Sequence, residues 1–202
     1  PYVTVHGRSL MNLSSNDYLG LAAHPHLIRA VKQAVECWGW GTGASRLVSG
    51  TMGIHADLEA RLASFKGTEA ALVCSTGYQA NLAAIRSLAG RGDVIFLDKL
   101  NHASIIDAAF AQGPAAFEAP AVRVFPHRDY SRLAQLLDRT KTAGKRLIVT
   151  DSVFSMEGDF ANLSTLVEIK KRHDALLIVD EAHATGVWGE RDRGLAEAMG
   201  IA

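Results

Sequence analysis

Short apolar segments that alternate with helical patterns constrain the fold of this 202-residue chain more than any other feature. Five segments have the length and apolar content of buried strands, at residues 70–74, 93–97, 122–125, 147–150 and 176–179. Strands that alternate with helices predict an α/β fold with a mostly parallel, doubly wound sheet and right-handed crossovers. We therefore predict one domain over residues 39–202, preceded by an N-terminal arm and helix over residues 1–38.

Apolar residues spaced three and four positions apart predict the helices. Helices are expected near residues 25–35, 55–66, 79–88, 130–138 and 163–173, and another opens at residues 101–104 and continues to about Gln112. In the second helix, which should end at Gly67, four apolar residues are expected to face the interior: Leu58, Leu62, Ala63 and Phe65. The glycine-rich residues 39–53 predict a loop that either approaches a ligand or is a flexible surface connection.

The charge balance and the cysteine content exclude several classes of partner. The chain has 21 basic and 21 acidic residues, so no basic excess predicts a nucleic acid partner. No apolar run is long enough to cross a bilayer. Cys37 and Cys74 form neither a disulfide framework nor a zinc motif, and we predict a cytoplasmic protein without a metal site. Because the chain begins at Pro1 without Met and stops at Ala202, we expect a piece of a longer protein.

Polar residues follow four of the predicted strands at the point where each strand ends. They lie at residues 75–78, 101–104, 151–157 and 180–183. Ligands in open α/β sheets bind outside the carboxyl ends of the strands, and neighbouring strands bring these ends to one rim. The sequence therefore predicts a ligand site at that rim.

The segment Ser75-Thr76-Gly77-Tyr78 joins a predicted strand to the start of a helix. Unpaired amides and the helix dipole make such a start a natural phosphate site, at which Gly77 allows close approach and Tyr78 can cover a planar ligand. The alternative is an ordinary capped helix start. His102, at the start of another predicted helix, is either a ring that stacks on a flat cofactor or moves protons, or a structural histidine.

The stretch LLIVDEAHATG, residues 176–186, predicts a strand that is buried on both faces and ends at Asp180. A carboxylate at this point suits a protonated heteroaromatic nitrogen, the partner that an acidic residue has beside pyridoxal phosphate. His183, three residues later, and Ser155 can hydrogen-bond a neighbouring phenolic oxygen. The alternatives are that Asp180 caps the next turn and that His183 lies on the surface.

The sequence Asp-Glu-Ala-His after an apolar strand also resembles the metal-binding strand of a DEAH-type NTPase. Such an enzyme requires a phosphate-binding loop of the pattern G-x-x-x-x-G-K-[ST], which does not occur in this sequence. The segment Gly144-Lys145-Arg146 has neither the preceding glycine spacing nor the following hydroxyl residue. This alternative therefore has less support than a cofactor site.

Several segments occur in the order found in the α-oxoamine synthases: NLSSNDYLGL, GTGASRLVSGT, HADLEARLASF, STGYQAN, LNHASI, DSVFSMEGD and VDEAHATGVWGERDRG. The chain resembles this family from about Asn12 to Ala198. The resemblance implies the large domain of a fold type I pyridoxal-phosphate enzyme, which forms a homodimer. It also implies that the enzyme condenses an amino acid with an acyl-CoA and releases CO2.

Carried over by motif, the resemblance assigns cofactor contacts to six residues: Gly77, Tyr78, His102, Ser155, Asp180 and His183. Gly77 and Tyr78 would lie near the phosphate, and Asp180 would pair with the pyridinium nitrogen. His102 would stack on the ring and contact substrate, and together with Asp180 and His183 it would be catalytic. Asn16 would help to hold the carboxylate of the amino acid.

The motifs SNDYLGLAAHP and GASRLVSGT are most similar to the biotin-pathway member of the family, which condenses L-alanine with pimeloyl-CoA or the acyl-carrier-protein equivalent. The alternatives are a glycine C-acetyltransferase within the family and a non-catalytic piece that only binds or dimerises. The family's Schiff-base lysine lies beyond residue 202, and Lys170 and Lys171 precede the strand that ends at Asp180. We therefore expect this chain alone to be inactive.

Overall fold

The computed structural model describes residues 2–111 and 119–201. Contacts between residues divide the chain into two compact units, and the boundary lies between Leu72 and Val73. The domain boundary that the sequence predicts after residue 38 stays a prediction. The predicted helix end near Gln112 lies outside the described residues.

The first unit opens with an antiparallel hairpin formed by strands β1 (Tyr2–Val5) and β2 (Arg8–Met11). The turn that joins them contains Gly7 at φ 74°, a left-handed backbone conformation that glycine adopts without steric cost. Helices α1 (Pro25–Trp38) and α2 (Gly53–Lys66) follow, and both confirm the helical patterns of the sequence.

Helix α2 ends at Gly67 as predicted, but most of its predicted inward side is exposed. Of the four apolar residues only Ala63 is buried, whereas Leu58 is 44% exposed and Leu62 and Phe65 are each 37% exposed. The prediction that all four face the interior was therefore wrong. The apolar spacing identifies the helix correctly, but one further helix and a two-stranded hairpin offer too little surface within the unit to cover this side.

The second unit is built on a parallel sheet. Its strands are β3 (Val94–Asp98), β4 (Ala121–Phe125), β5 (Arg146–Asp151) and β6 (Ala175–Asp180), in the spatial order β4-β3-β5-β6. Every neighbouring pair is parallel, and the register places Asp151 opposite Asp180. The carboxyl ends of the four strands therefore lie at one rim of the sheet.

Helices cover both faces of this sheet, which confirms the doubly wound prediction. They are α3 (Gly77–Leu88), α4 (Ala103–Phe110), α5 (Tyr130–Arg139), α6 (Leu163–Arg172) and the short α7 (Leu195–Ala198). Ile85 of α3 and Ile105 of α4 pack in one apolar core together with Ile95 of β3. Leu133 of α5 packs in a second core together with Phe96, the next residue of the same strand. Because successive strand residues enter opposite cores, the inner strands are buried on both faces.

The first predicted strand, at residues 70–74, does not form in the described part of the chain. This segment is irregular, and Leu72 is 73% exposed. An apolar run becomes a strand only when a neighbouring strand supplies its hydrogen bonds, and none of the described strands pairs with this segment. The strand prediction was therefore wrong for these residues.

Strand β6 confirms the predicted strand but not its predicted burial on both faces. Leu176 is 41% exposed and residues 177–180 are partly exposed, whereas every residue of β3 is buried. The difference follows from position, because β6 lies at an edge of the four described strands and β3 lies inside the sheet. An apolar run alone does not distinguish these two positions, and the prediction of two buried faces was wrong.

Asn162 caps the start of α6, and its loss should destabilise the second unit. Its Oδ1 accepts a hydrogen bond from the Thr165 amide at 3.1 Å. Replacing an N-cap residue by alanine typically costs about 1 kcal/mol, so Asn162→Ala should lower the free energy of unfolding in urea by that amount. Asn162→Ser, which keeps a capping oxygen, is the matched control. Equal stability of Asn162→Ala and the unchanged protein would contradict this role.

Candidate active site

The ends of three neighbouring segments converge at the rim of the parallel sheet, as predicted. Asp151 ends β5 and Asp180 ends β6, and the register places them side by side. His102 follows β3, and its backbone amide donates a hydrogen bond to Asp151 Oδ2 at 2.8 Å. Asn81 of α3 donates from Nδ2 to Asp180 Oδ2 at 2.8 Å. These contacts bring together two carboxylates, one imidazole and one carboxamide.

A donor to each carboxylate oxygen holds Asp180 in place. Oδ1 accepts from the Ala182 amide at 2.9 Å, and Oδ2 accepts from Asn81. Asp180 thus caps the turn that follows β6, as one of the sequence interpretations expected. Because Asn81 lies about one turn after Gly77 in α3, the start of that helix and the Asp180 carboxylate belong to the same rim.

His102 is the N-cap residue of α4, and its side chain is exposed at the rim. Its Nδ1 accepts a hydrogen bond from the Ser104 amide at 3.2 Å and lies 2.7 Å from Ser104 Oγ. The preceding Asn101 donates to the Val149 carbonyl at 2.8 Å and accepts from the Asp151 amide at 3.3 Å. These bonds attach the start of α4 to β5 and so determine where the imidazole lies.

Asp151 is a buried carboxylate of the rim, at 5% exposure. Burial raises the pKa of its carboxyl to about 6; the hydrogen bond from the His102 amide opposes this shift, and the neighbouring Asp180 carboxylate adds to it. A buried acid with a strongly altered pKa beside a second acid marks a candidate functional site. The sequence identified residues 151–157 as a strand end but gave Asp151 itself no role.

The start of α3 has the features of a phosphate site. Thr76 caps the helix, because its Oγ1 accepts from the Gln79 amide at 3.1 Å. No group in the described residues accepts the amide hydrogens of Gly77 and Tyr78. A Cβ atom placed on Gly77 would have no atom within 4 Å, so the space beside these amides is open. An anion can therefore approach the helix start closely.

Tyr78 makes a side-chain contact across to the next helix. Its hydroxyl donates to Asp107 Oδ2 of α4 at 2.9 Å, and this bond raises the pKa of the phenol. The side chain is otherwise half exposed. The contact connects α3 and α4 on the side of the rim where both helices begin.

Ser155 lies in an exposed turn that follows β5. Two backbone bonds close the surrounding loop: the Phe154 amide donates to the Asp159 carbonyl at 3.0 Å, and the Ala161 amide donates to the Ser152 carbonyl at 2.9 Å. The hydroxyl is therefore carried on a loop whose two ends are both attached to the end of β5.

His127 braces the same loop from the end of β4. Its Nδ1 lies 2.9 Å from Asp98 Oδ1, and its Nε2 lies 3.1 Å from Asp159 Oδ2. The ring also packs edge-on against Phe154 at a centroid distance of 4.4 Å. Burial alone would lower the pKa of His127, but the hydrogen bonds to two carboxylates outweigh it and raise the pKa.

The two remaining predicted residues are His183 and Asn16. His183 is partly buried in the turn after β6, where the Ala184 amide donates to the Glu181 carbonyl at 3.0 Å. Asn16 belongs to the first unit and accepts a hydrogen bond from the Tyr18 hydroxyl at 3.3 Å. Their predicted roles toward cofactor and substrate stay predictions.

Asn81 is a candidate functional residue that the sequence analysis missed. The signal that could have found it is its spacing, because it lies four residues after Gly77 and residues four apart share one face of a helix. A carboxamide on the helix face that begins at a predicted phosphate site is therefore a candidate site residue, as a polar residue at a strand end is.

The described residues contain neither a candidate metal cluster nor a helix that could cross a membrane. Residues 2–111 and 119–201 contain no group of three or more His, Cys, Asp or Glu side chains arranged to hold a metal ion. Within the same ranges, no helix combines the length and the apolar character needed to cross a membrane.

Comparison with protein families identifies the relationship. Residues 8–200 match the family model for aminotransferase class I and II. The chain belongs to the aminotransferase class I and II family. This family match covers nearly the whole chain and gives the DEAH-type NTPase alternative no support. It also accords with the parallel sheet and its helices on both faces.

Two curated relatives of this chain have the same name. The chain is 56% identical to an 8-amino-7-oxononanoate synthase of Geobacter sulfurreducens over 200 residues, which is 99% of this chain and 50% of that protein. It is 54% identical to the protein of the same name from Pelobacter propionicus over 199 residues, which is 98% of this chain and 49% of that protein. The chain thus spans about half the length of the curated relatives that it matches.

Solved structures agree with this relationship. Serine palmitoyltransferase of Sphingomonas wittichii is 40% identical, with a TM-score of 0.92 over 99% of this chain and 49% of that one. Serine palmitoyltransferase of S. paucimobilis with a bound PLP–myriocin compound is 37% identical, with a TM-score of 0.91 over 99% of this chain and 50% of that one. The 8-amino-7-oxononanoate synthase of Francisella tularensis is 32% identical, with a TM-score of 0.74 over 93% of this chain and 50% of that one. The resemblance to the α-oxoamine synthases is therefore confirmed.

Proposed function

We propose that this chain is the cofactor-binding part of a pyridoxal-phosphate enzyme that condenses an amino acid with an acyl thioester and releases CO2. More specifically, we propose an 8-amino-7-oxononanoate synthase that uses L-alanine and pimeloyl-CoA or pimeloyl carrier protein. The observation that carries the proposal is the hydrogen bond from Asn81 to Asp180, because the acid then lies at the same rim as the helix start at Gly77 and Tyr78. The names of the curated relatives support the choice of reaction.

The residues at the rim fit pyridoxal phosphate in charge and in space. The amides of Gly77 and Tyr78 suit the phosphate, since they lack acceptors in the described residues and open space lies beside them. Asp180 suits the protonated pyridine nitrogen. The exposed imidazole of His102 suits stacking on the ring. By the resemblance, Ser155 and His183 take the phenolic oxygen.

When bound, pyridoxal phosphate supplies an electron sink for the carbanion that forms at the α-carbon of the amino acid. The residues of this chain would bind the cofactor and orient it. The Asp180 carboxylate would pair with the protonated ring nitrogen, and the N–H donors of Ala182 and Asn81 hold that carboxylate in place. The helix start at Gly77 would bind the phosphate, and the His102 ring would stack on the cofactor and exclude water from it.

Assembly, location and dependence on further sequence also belong to the proposal. We propose a homodimer, because α1 carries exposed apolar residues such as Ile28 and Val31. Cys37 and Cys74 are free, which accords with a cytoplasmic location. The Schiff-base lysine is expected in sequence that follows residue 202, so this chain alone should be inactive.

The test uses the gene-encoded protein, which is the complete protein that contains this chain. Addition of pyridoxal phosphate and then L-alanine should change the visible absorption spectrum, and pimeloyl-CoA should then release free CoA thiol and CO2. Activity with glycine and acetyl-CoA instead would favour glycine C-acetyltransferase. Absence of any spectral change with pyridoxal phosphate would contradict the proposed function, and Mg²⁺-dependent ATP hydrolysis would favour the NTPase.

A further inference from the structure

His127 contacts the loop of Ser155 on both sides of that serine. Its Nε2 lies 3.1 Å from Asp159 Oδ2, and its ring packs edge-on against Phe154 at a centroid distance of 4.4 Å. The Phe154 amide donates to the Asp159 carbonyl at 3.0 Å, and the Gly158 amide donates to the Phe154 carbonyl at 2.8 Å. These residues therefore form a closed turn, and one imidazole touches it both before and after Ser155.

The other nitrogen of the ring is attached to the end of a buried strand. His127 Nδ1 lies 2.9 Å from Asp98 Oδ1 at the end of β3, and the Asp98 side chain is 1% exposed. The Leu100 amide donates to Asp98 Oδ1 at 2.9 Å, and the Arg128 amide donates to Asp98 Oδ2 at 2.8 Å. Arg128 has φ 56°, which residues with a side chain rarely adopt, and its bond to Asp98 helps to hold in place the turn that carries His127.

Both partners of the ring are carboxylates, so both ring nitrogens must donate. A carboxylate has no hydrogen to donate, and an imidazole donates from both nitrogens only when it is protonated. Burial would raise the pKa of Asp159, but the hydrogen bonds from Arg128 and His127 outweigh it and lower this pKa. The geometry therefore requires an imidazolium between two ionised acids.

Further charged groups surround this imidazolium. The Arg128 side chain donates to Asp159 Oδ2 at 2.7 Å, so its positive charge lies beside the same carboxylate. Asp98 interacts electrostatically with Asp151 of β5 and with Tyr130 of α5. Arg128 opposes a second positive charge nearby, whereas the three acids favour it. The acids outnumber the single guanidinium, and the balance favours a protonated ring.

Loss of one proton from the ring should release the loop and not the strand. A neutral imidazole donates from one nitrogen only. The Asp98 side chain is buried, whereas that of Asp159 is 31% exposed and also pairs with Arg128. A buried carboxylate that loses its donor costs more free energy than a partly exposed one, so the remaining proton should stay on Nδ1. The bond from Nε2 to Asp159 is then lost, and the exposed pair with Arg128 holds the loop only weakly.

We infer that His127 is a positioning residue that, as an imidazolium, holds the Ser155 hydroxyl at the rim, and that the rim binds its cofactor more weakly once His127 has lost a proton. The inference rests on the proposed function, in which Ser155 takes the phenolic oxygen of pyridoxal phosphate. His127 itself touches neither cofactor nor substrate in this account. Its protonation and the stability of the loop are properties of the chain and can be measured without cofactor.

Asp159→Asn is the first test variant, because the amide keeps an oxygen that can accept from His127 but removes the negative charge. Nuclear magnetic resonance of isotope-labelled histidine in the cofactor-free, gene-encoded protein should show both His127 nitrogens protonated at low pH. The midpoint of the His127 titration should lie at lower pH in Asp159→Asn than in the unaltered protein. Asp138→Asn, an acid-to-amide change at a side chain that is 70% exposed, is the control and should leave the midpoint unchanged.

Hydrogen exchange measures the loop itself. At a pH between the two midpoints, the amides of Phe154 and Gly158 should exchange roughly tenfold faster in Asp159→Asn than in the unaltered protein, because only the variant has lost the proton that holds the turn. Both proteins are measured at the same pH, so the intrinsic pH dependence of exchange cancels. The Asp138→Asn control should exchange like the unaltered protein.

The dissociation constant of pyridoxal phosphate, followed by absorbance, tests the link to the site. Because the cofactor also titrates, each variant is compared with the unaltered protein at the same pH. Asp159→Asn should bind roughly tenfold more weakly between the two midpoints and within about twofold below both of them. A merely structural effect would weaken binding at every pH.

Ser155→Ala shows whether the effect passes through the serine. This variant should bind pyridoxal phosphate roughly tenfold more weakly than the unaltered protein. Adding Asp159→Asn to it should change the dissociation constant by less than about twofold between the midpoints, because the hydroxyl that His127 positions is already absent. A further tenfold loss in the double variant would overturn the inference.

The outcomes separate this inference from the proposed function. A His127 midpoint that Asp159→Asn leaves unchanged, or equal weakening of binding at every pH, would also overturn the inference. If Asp159→Asn fails to fold by circular dichroism, His127→Gln replaces it, since a neutral side chain should bind cofactor roughly tenfold more weakly than the unaltered protein below the His127 midpoint and equally well above it. If the unaltered protein fails to bind pyridoxal phosphate, the proposed function fails, and the exchange rates then decide whether the imidazolium holds the loop.

Discussion

Asp180→Asn in the gene-encoded protein is expected to lower kcat/KM by about a hundredfold or more, the effect of removing a group that stabilises charge formed during a reaction. The amide keeps the shape of the side chain and can still accept a hydrogen bond from Ala182. It cannot supply the negative charge that pairs with a protonated ring nitrogen, so the electron sink should weaken. Steady-state kinetics with L-alanine and pimeloyl-CoA measure the loss.

The control for this change is Asp138→Asn, an acid-to-amide change at a side chain that is 70% exposed. It should leave kcat/KM within about twofold, as surface substitutions usually do little. Circular dichroism should show that both variants keep the helices and strands. An Asp180→Asn enzyme with kcat/KM within a few-fold of the Asp138→Asn enzyme would refute the pairing with the ring nitrogen.

Asp151→Asn is expected to stabilise the cofactor-free protein near neutral pH. The pKa of the buried carboxyl is raised from 3.8 to about 6, so the folded state binds this proton more tightly than the unfolded chain does. The stabilisation is fully present below pH 3.8 and is lost as the pH rises through about 6. A pKa rise of this size corresponds to roughly 3 kcal/mol. Above the raised pKa the ionised carboxylate lowers the free energy of unfolding by this amount, and the neutral amide of the Asp151→Asn side chain does not.

Urea denaturation at several pH values between about 4 and 7 tests this prediction. The stability of the unaltered protein should fall relative to that of Asp151→Asn across the window, and the difference should reach its plateau above the raised pKa. Asp138→Asn again serves as the control, and its curve should run parallel to that of the unaltered protein. Parallel curves for Asp151→Asn would contradict the raised pKa.

The sequence predicted most of the fold because local patterns determine most of it. The alternation of apolar segments with amphipathic helices was sufficient to predict β3 to β6 and helices on both faces of the sheet. The same pattern gave wrong predictions at residues 70–74 and at Leu176, because an apolar run does not show its position in the sheet. It shows neither whether a neighbouring strand pairs with it nor whether it lies at an edge. It failed for Leu58 in the same way, because periodicity identifies an apolar side but not what covers it.

The site was predictable where chain position alone decides where a side chain lies. Asp180 and His102 follow strands, and the carboxyl ends of parallel strands must meet at one rim. Asn81 was missed because a polar residue within a helix ordinarily faces water. The altered pKa of Asp151 could not be predicted either, since it depends on burial and on a register that puts a second acid opposite it.

The hydrogen bond from Asn81 to Asp180 joins residues 99 positions apart, and this span has a consequence for how the protein is made. During synthesis the helix start at Gly77 leaves the ribosome long before β6 does. A nascent chain therefore carries one half of the rim while the other half has not yet been translated. The two halves meet only after β6 has joined the sheet, so the rim is completed late in folding and an unfinished chain has no complete pocket to offer a ligand.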